Sequence, residues 1–304
     1  MSMLTLKKLE SKFPTEDSCK QFLKEQRWPN GVFCPRCGNG RVYKLKKAWH
    51  WQCKGCTPNG YRFSIITGTV FQNTKYPLKA WFTCAFLILT AKKGISALQI
   101  QRVMGSALTK GQGSYETFWY MAHRLRAAME NDEFKKLAGV VEIDETFIGG
   151  KEENKPLKVR GKAVRDGSTS FRGKVGVIGA ISRKGNVTCQ IIENMDTQTV
   201  GEFVKKTVSD EVELIATDDH VVYDKFAWGP GQKHESVKHS KDEYVRGVVH
   251  TSHIDSYWSL IKRGIMGNFH HVSRKYLGLY LNEFTFRHNN RKNEEVFATL
   301  IACA

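Results

Sequence analysis

The stretch that decides the fold is GVVEIDETFIGG, residues 139–150, in which a short apolar run carries acidic residues at its centre. The apolar run predicts a strand. By strand alternation, Glu142 and Asp144 share one face, and Glu145 lies on the other. A buried strand does not tolerate an unpaired carboxylate. The stretch is therefore a candidate both for the core and for chemistry.

The segments after this strand predict an α/β fold. Residues 174–195, KVGVIGAISRKGNVTCQIIENM, predict two strands around the turn SRKG, and residues 197–208 predict a helix. Residues 212–219, VELIATDD, predict a further strand that ends in acids, and the chain from about Asp255 is helical and aromatic. Strand, strand, strand, helix, strand, helix is the order of an RNase H-like core, a mixed sheet flanked by helices. The charged, Gly-rich segment up to about Arg172 predicts a loop.

Acids at the ends of adjacent strands and on a late helix can converge in such a core. Asp144 lies in the first strand, Asp218 ends the fourth, and Asp255 lies in the helical stretch HTSHIDSYWSLIKRG. Three carboxylates can hold two divalent metal ions that activate the attacking water and stabilise the leaving oxygen in phosphoryl transfer. Mg²⁺ takes oxygen ligands and keeps several waters, so a few carboxylates and a DNA phosphate suffice.

The helical stretch around Asp255 allows two interpretations. Its apolar residues form one stripe of a helix: Ile254, Trp258, Ile261 and Ile265. Asp255 lies beside this stripe, and Lys262 follows it by about two turns, so the acid and the lysine share a face. Asp255 is then either an ordinary solvated charge or a functional acid.

The composition indicates a folded protein with a polyanionic partner. Hydrophobic residues make up 41% of the 304 residues, enough for a core, and the net charge is +17. Residues 1–137 carry 23 Lys and Arg against 8 Asp and Glu, whereas residues 138–304 carry 24 against 22. The basic half favours nucleic acid, with an acidic protein or a membrane surface as weaker alternatives.

Two features of the sequence bear on the compartment. The longest apolar run, AWFTCAFLILTA at 80–91, is shorter than the roughly 20 residues of a membrane span. The start, MSMLTLKKLESKFPTED, lacks the apolar core of a signal peptide. We therefore expect a cytoplasmic protein without a membrane partner, associated with the nucleoid through DNA, or a nuclear one in a eukaryote.

Two C-x2-C motifs, in CPRCGNGRVYKLKKAWHWQCKGC at 34–56, predict a metal site. Cys34 and Cys37 form the first motif, and Cys53 and Cys56 the second. Four thiolates can close a tetrahedral Zn²⁺ site, and a closed site leaves no position for a substrate, so we expect structural zinc. Free thiols or a redox pair are the alternatives. Alternating residues between and after the motifs predict the strands of a zinc ribbon.

From Pro77 the pattern becomes helical. PLKAWFTCAFLILTAKK, ISALQIQRVMG and SYETFWYMAHRLRAAM predict three helices, separated at Gly94 and by the connection ALTKGQG. This order is that of a helix-turn-helix, whose last helix would offer Arg124 and Arg126 to DNA. Helical trios are also common without DNA, but the basic charge of this half favours the DNA-binding interpretation.

In order along the chain, the motifs resemble those of the DDE transposases of ISXO-type insertion sequences, which are related to the Merlin elements. CPRCG and QCKGC resemble the zinc ribbon of that family, and KKGISALQIQRVMG resembles its helix-turn-helix. VEIDETFIGG and ATDDHVVYDKF resemble its first two catalytic strands. The run HTSHIDSYWSLIKRGIMGNFHHVSRKYLGLYLNEFTFRHNNR resembles its third catalytic segment, and its length makes the match specific. The likeness covers nearly the whole chain.

The resemblance implies that Asp144, Asp218 and Asp255 bind Mg²⁺ or Mn²⁺ at a catalytic site. It also implies that Lys262, next to Arg263, holds DNA near the scissile phosphate. The 36 residues between Asp218 and Asp255 are close to the spacing that names one class of DDE enzymes.

The chain departs from the family at the third acid. Family members usually have glutamate there, and some have asparagine or histidine, whereas this chain has the shorter aspartate at Asp255. Glu145 and Asp219 adjoin proposed ligands, and we expect them to be solvated or to support their neighbours.

The resemblance implies a DNA transposase of three domains. Residues 1–76 would form an amino-terminal helix and zinc ribbon, residues 77–137 the helix-turn-helix region, and residues 138–304 the RNase H-like catalytic domain. A homodimer or larger assembly would bind the double-stranded terminal inverted repeats, cleave the strands and join them to target DNA. A DNA-binding repressor descended from a transposase and an RNase H-like nuclease are the alternatives.

Overall fold

The computed structural model describes residues 5–109, 113–130, 135–150, 174–183, 185–229, 232–238 and 243–304. Contacts divide the chain into a first unit, Met1–Glu130 with Arg291–Ala304, and a second unit, Asn131–Asn290. The predicted charged loop up to Arg172 lies outside the described residues.

The first unit begins with two helices and a small antiparallel sheet. These elements are α1 (Leu6–Lys12), α2 (Glu16–Arg27), β1 (Val42–Lys44), β2 (His50–Cys53) and β3 (Tyr61–Ser64), with the strands in the order β1-β2-β3. The side chain of Thr15 caps α2 by accepting from the amide of Ser18. Trp51 of β2 lies opposite Phe63 of β3, and both are buried. The predicted ribbon strands are therefore confirmed.

Three helices follow, as the sequence predicts. They are α3 (Leu78–Thr90), α4 (Ala97–Thr109) and α5 (Tyr115–Ala128). Helix α3 is apolar on most of its surface and is the centre of this region, with Trp81 and Phe82 fully buried. Gly105 has a positive φ of 43° that interrupts the helical geometry of α4, a conformation that glycine adopts at little steric cost.

The last helix, α10 (Val296–Cys303), also belongs to the first unit. Its Phe297 ring packs against Phe13, Phe22 and Phe82, with ring centroids 5.7, 6.2 and 5.4 Å away. The sequence placed all of residues 138–304 in one catalytic domain, so the end of the chain differs from that prediction. The physical reason is this aromatic cluster, because it buries the apolar face of a short helix that has little stability alone.

The second unit contains five strands and four helices among its described residues. They are β4 (Leu137–Ile148), β5 (Val175–Ser182), β6 (Val187–Ile192), α6 (Thr197–Thr207), β7 (Val208–Thr217), α7 (Val221–Lys225), β8 (His234–Ser236), α8 (Ser252–Gly264) and α9 (Arg274–Asn289). A π-helical turn, Ile265–Phe269, continues α8. The predicted order of strand, strand, strand, helix, strand, helix is confirmed, and β8 and α7 are additions that sequence periodicity did not indicate.

The sheet is mixed, in the order β6-β5-β4-β7-β8. Strands β4, β5 and β6 are antiparallel neighbours, whereas β7 lies parallel to β4 and β8 lies parallel to β7. Helix α6 connects the antiparallel part to the parallel part, as a crossover between same-direction strands requires. This is the arrangement of an RNase H-like core, as the sequence predicts.

Each face of the sheet carries its own apolar layer. Val141 and Ile143 of β4 face a cluster that includes Phe203 of α6. Val177 of β5 faces the opposite cluster, which includes Ile254, Trp258, Ile261 and Ile265 of the predicted apolar stripe. The stripe fixes which side of α8 lies on the sheet, because burying apolar area drives the packing. This packing brings Trp258 of α8 within hydrogen-bonding distance of Asp144 in β4.

We expect Phe297→Ala to destabilise the first unit selectively. The ring is 6% exposed, and removing a buried Phe ring costs about 3–5 kcal/mol. The effect is measured as the change in thermal stability of each unit, with hydrogen exchange of the amides reporting on the two units separately. The exposed Val103→Ala serves as the control within the same unit. A loss of stability confined to the second unit would contradict the packing of α10 in the first unit.

Candidate active site

The parallel pairing of β4 with β7 brings the first two predicted acids together. The register ends at Glu142 opposite Ala216. Two residues beyond this last pair, Asp144 lies within β4, which continues to Ile148 beside β5, and Asp218 directly follows the end of β7 at Thr217. One oxygen each of Asp144, Glu145 and Asp218 lies within 4.8 Å of the others. The predicted convergence of strand-end acids is thus present in the fold.

The Asp144 carboxylate is held and crowded at the same time. Its Oδ2 accepts a hydrogen bond from Nε1 of Trp258 at 2.9 Å. Burial raises the pKa of Asp144 well above its ordinary value, and the carboxylates of Glu145, Asp218 and Asp255 raise this pKa further. A divalent cation would relieve this repulsion, and oxygen donors are the ligands that Mg²⁺ and Mn²⁺ prefer. The donor set therefore fits a divalent metal.

Glu145 has a larger part in the site than its sequence position indicated. Strand alternation places it on the other face from Asp144, yet its carboxylate joins the same close group. The Tyr223 hydroxyl donates to its Oε2 at 2.9 Å. Burial raises the pKa of Glu145, and the charge of Asp218 raises it further. In the part of the chain that the structure describes, the pairing of β4 with β7 stops at Glu142. Side chains from both faces of β4 can therefore reach the same point beyond it.

Asp255 lies in the same cleft but outside the close group. A cleft of about 420 Å³ is lined by Asp144, Asp255 and Lys262 among others. The Thr251 hydroxyl donates to Oδ2 of Asp255 at 3.0 Å. The three oxygens within 4.8 Å of one another do not include Asp255.

The cleft also carries the predicted basic residues. Lys262 and Arg263 are exposed at its edge, in the same helix as Asp255. Arg263 donates from Nε to the carbonyl of Ser259 at 3.1 Å. The cleft therefore combines carboxylates from β4 and α8 with two basic side chains of α8.

Trp258 and Glu142 are site residues that the sequence did not single out. Trp258 was predicted only as part of the apolar stripe, but it also binds Asp144. Glu142 was placed on the Asp144 face without a role, and it is fully buried among polar groups. The acid-x-acid spacing in the strand is the one signal that could have indicated Glu142.

The four paired cysteines of the first unit converge as predicted. The Sγ atoms of Cys34 and Cys56 are 3.8 Å apart, and those of Cys37 and Cys53 are 3.6 Å apart. Tetrahedral zinc with bonds of about 2.3 Å places its sulfur ligands about 3.8 Å apart. The donor set and its spacing therefore fit structural Zn²⁺, with no position for a substrate.

The structure corrects one of the two DNA contacts predicted in α5. Arg126 is 2% exposed and lies inside the helical core. Arg124 donates to the carbonyl oxygens of Gln72 and Thr69 at 3.1 and 3.2 Å. Helical periodicity could not show this, because which face of α5 is buried depends on the segments packed around it. Arg126 is therefore not available as a DNA contact, whereas Arg124 is only partly buried.

Comparison with known proteins shows the family of the chain. Residues 136–289 match the ISXO2-like transposase domain, and residues 14–59 match the transposase zinc-ribbon domain. The chain therefore belongs to the ISXO2-like transposase family, which confirms the resemblance read from its motifs. It is 26% identical over 306 residues to an uncharacterized protein in transposable element ISH50 of Halobacterium salinarum. That match covers 96% of this chain and 98% of the relative.

In the part of the chain that the structure describes, we find no helix with the length and apolar character needed to cross a membrane.

We expect chelation of zinc to unfold the ribbon without unfolding the second unit. A structural zinc site contributes folding free energy directly, so its loss removes the support of β1, β2 and β3. Hydrogen exchange with and without a chelator measures this. Amides of residues 42–64 should exchange at least about tenfold faster, whereas amides of β4 and β7 should not change. Equal loss of protection in both units would contradict the prediction.

Proposed function

We propose that this protein is a DNA transposase that cleaves strands at the ends of its insertion sequence and joins them to target DNA. The observation that supports this most is the position of Asp144 beside Asp218, with Asp255 in the same cleft. The family to which the chain belongs supports transposition as the biological process. The chemistry and the residues that perform it are our proposal.

In this proposal, Asp144, Asp218 and Asp255 hold Mg²⁺ or Mn²⁺. When bound, the metal activates the attacking oxygen and stabilises the leaving oxygen of the phosphodiester. The Trp258 indole orients Asp144 through its hydrogen bond. Tyr223 holds Glu145 in the same way, so Glu145 supports the group with one oxygen already engaged.

Lys262 and Arg263 bind DNA phosphate beside the acids. Both project from α8 within the cleft that contains Asp144 and Asp255. A lysine ammonium suits a phosphate as a point charge, and arginine can bind it with two parallel hydrogen bonds. Their place on the helix that carries Asp255 fixes the spacing between the acids and the bound phosphate.

The zinc ribbon supplies DNA contacts of the first unit, in place of α5. Seven basic side chains of the ribbon are exposed: Arg36, Arg41, Lys44, Lys46, Lys47, Lys54 and Arg62. Such a surface neutralises backbone phosphates and gives an affinity that falls steeply with salt. We propose that it binds the terminal inverted repeats, and that two copies of the chain or more hold the two ends.

We expect Asp144→Asn and Asp218→Asn each to reduce strand cleavage by about 10³-fold, because each removes a ligand charge worth several kcal/mol in the transition state. Cleavage and joining are measured with Mg²⁺ on DNA taken from both sides of the gene. Asp219→Asn is the matched control, since Asp219 is outside the close group.

Binding of the same DNA separates the alternatives. All three variants should bind the ends as tightly as the unaltered protein. A repressor would bind without cleaving in any form, and a nuclease without end recognition would bind random DNA equally well at matched salt. Absence of nicking and joining by the unaltered protein on its own ends would reject the proposal.

We expect Asp255→Glu to retain cleavage and Asp255→Asn to lose it. Glutamate restores the reach usual in the family while keeping the charge, whereas asparagine keeps the size and removes the charge. Cleavage rates over a range of Mn²⁺ concentrations measure both effects. An active Asp255→Ala would show that the third ligand is another residue.

A further inference from the structure

Glu142, two residues before Asp144, has a fully buried carboxylate whose two oxygens are both engaged. Oε1 accepts from Nε of Arg183 at 2.9 Å and lies 2.8 Å from Nδ1 of His253. Oε2 accepts from the backbone amides of His253 and Ile254 at 2.8 and 3.2 Å. Such a set of donors makes a buried carboxylate tolerable.

Two of these donors are amides of the first turn of α8. A helix leaves its first amides without partners, and the residue before the helix usually accepts from them. Thr251 occupies that position, but its side chain makes no cap hydrogen bond. Glu142 takes its place from β4, and the Thr251 hydroxyl donates instead to Asp255 at 3.0 Å. The cap of α8 thus comes from the strand that carries Asp144.

The charges around Glu142 balance without a metal. The Arg183 guanidinium neutralises the carboxylate, and it also donates to the carbonyl of His250 at 3.3 Å. Burial lowers the pKa of His250, the charge of Arg183 lowers it further, and the charge of Glu142 opposes this shift. The positive end of the α8 dipole adds to the stabilisation.

A second contact, farther along α8, joins the helix to the same strand. Trp258 reaches Asp144 by passing over Gly179, which lies opposite Asp144 in β5. A Cβ at Gly179 would lie 2.5 Å from the Trp258 ring. The absence of a side chain there permits the close approach. Helix α8 is therefore attached to β4 at its first turn and again at Trp258.

We propose that Glu142 is a positioning residue that sets the distance between the two parts of the metal site. It fixes the start of α8, and with it Asp255, relative to Asp144 and Asp218. The proposal rests on the proposed function, because it assumes that these three acids hold the metal. What it adds is that the helix cap at Glu142, which lies outside the cleft, determines the distance of Asp255 from Asp144 and Asp218.

The same residues invite a different interpretation as a metal site. Glu142, His250 and His253 offer ligand atoms within 4.8 Å of one another. A cation there would compete with the Arg183 guanidinium and with two helix amides for the same two oxygens. Those contacts favour the cap over the cation, and metal counting distinguishes them.

The test compares two buried carboxylates of the second unit. Glu142→Gln keeps the side-chain shape and removes the charge that caps α8. Glu283→Gln is the matched control, since Glu283 is equally buried and pairs with Arg287 at 3.4 Å in α9. Mn²⁺ binding is measured by calorimetry without DNA, and cleavage is measured with saturating Mn²⁺. Groups that orient metal ligands alter affinity or activity by about 10–100-fold.

We expect Glu142→Gln to weaken Mn²⁺ binding by about tenfold and to slow cleavage by about 10–100-fold. Glu283→Gln should lower thermal stability to a similar extent but change Mn²⁺ affinity by less than about twofold. Unaltered Mn²⁺ affinity in a folded Glu142→Gln variant would overturn the proposal, as would equal losses in the two variants. A zinc equivalent beyond that of the ribbon, lost in Glu142→Gln, would also overturn it in favour of a metal site.

Two further variants keep the outcome decisive. If Glu142→Gln does not fold, Arg183→Gln tests the same cap from its partly exposed side. It should weaken Mn²⁺ binding by about 3–10-fold, and no change would count against the proposal. The Asp144→Asn variant distinguishes failure of the proposed function from failure of the positioning role of Glu142. Full cleavage by Asp144→Asn rejects the proposed function, whereas an inactive Asp144→Asn beside an unaffected Glu142→Gln rejects only the positioning role.

Discussion

The parallel pairing of β4 with β7 is the constraint on which the second unit depends. Its register ends at Glu142 and Ala216, and two residues beyond this pair Asp144 and Asp218 have carboxylate oxygens within 4.8 Å of each other. Carboxyl ends of parallel strands meet at one edge of a sheet, where ligands commonly bind. Hydrogen bonding within the backbone therefore sets the separation of two acids whose own charges would drive them apart.

The crowding of these acids requires the surrounding structure to hold them. Burial and neighbouring carboxylates raise the pKa of Asp144, because both disfavour its ionised form. Trp258 donates a hydrogen bond to Asp144, and the Glu142 carboxylate accepts from the first turn of α8. Strand and helix are thereby joined through two sets of polar contacts, a support that the apolar stripe of α8 could not provide with the same directionality.

The first unit is stabilised by different means. A sheet of three short strands buries little apolar area, and the four cysteines supply a metal site that makes up for it. The helices depend on an aromatic cluster that includes Phe297, from the far end of the chain. The last helix packs into this region, and Arg126 of α5 is buried within it. Arg126 therefore belongs to the core of the helical region and does not contribute to its basic surface.

The sequence by itself indicated the four cysteines of the zinc ribbon and most of the elements in order, because these are matters of local spacing or periodicity. The resemblance of its motifs added the family and the roles of the three candidate acids. Only the tertiary structure decided which groups surround those acids. Glu145 joins the close group, Asp255 stays outside it, and Glu142 caps a helix more than a hundred residues away in sequence. The burial of Arg126 could not be predicted for the same reason. A side chain's neighbours depend on register and packing between distant segments, and these are set by the burial of the whole unit, which no local pattern encodes.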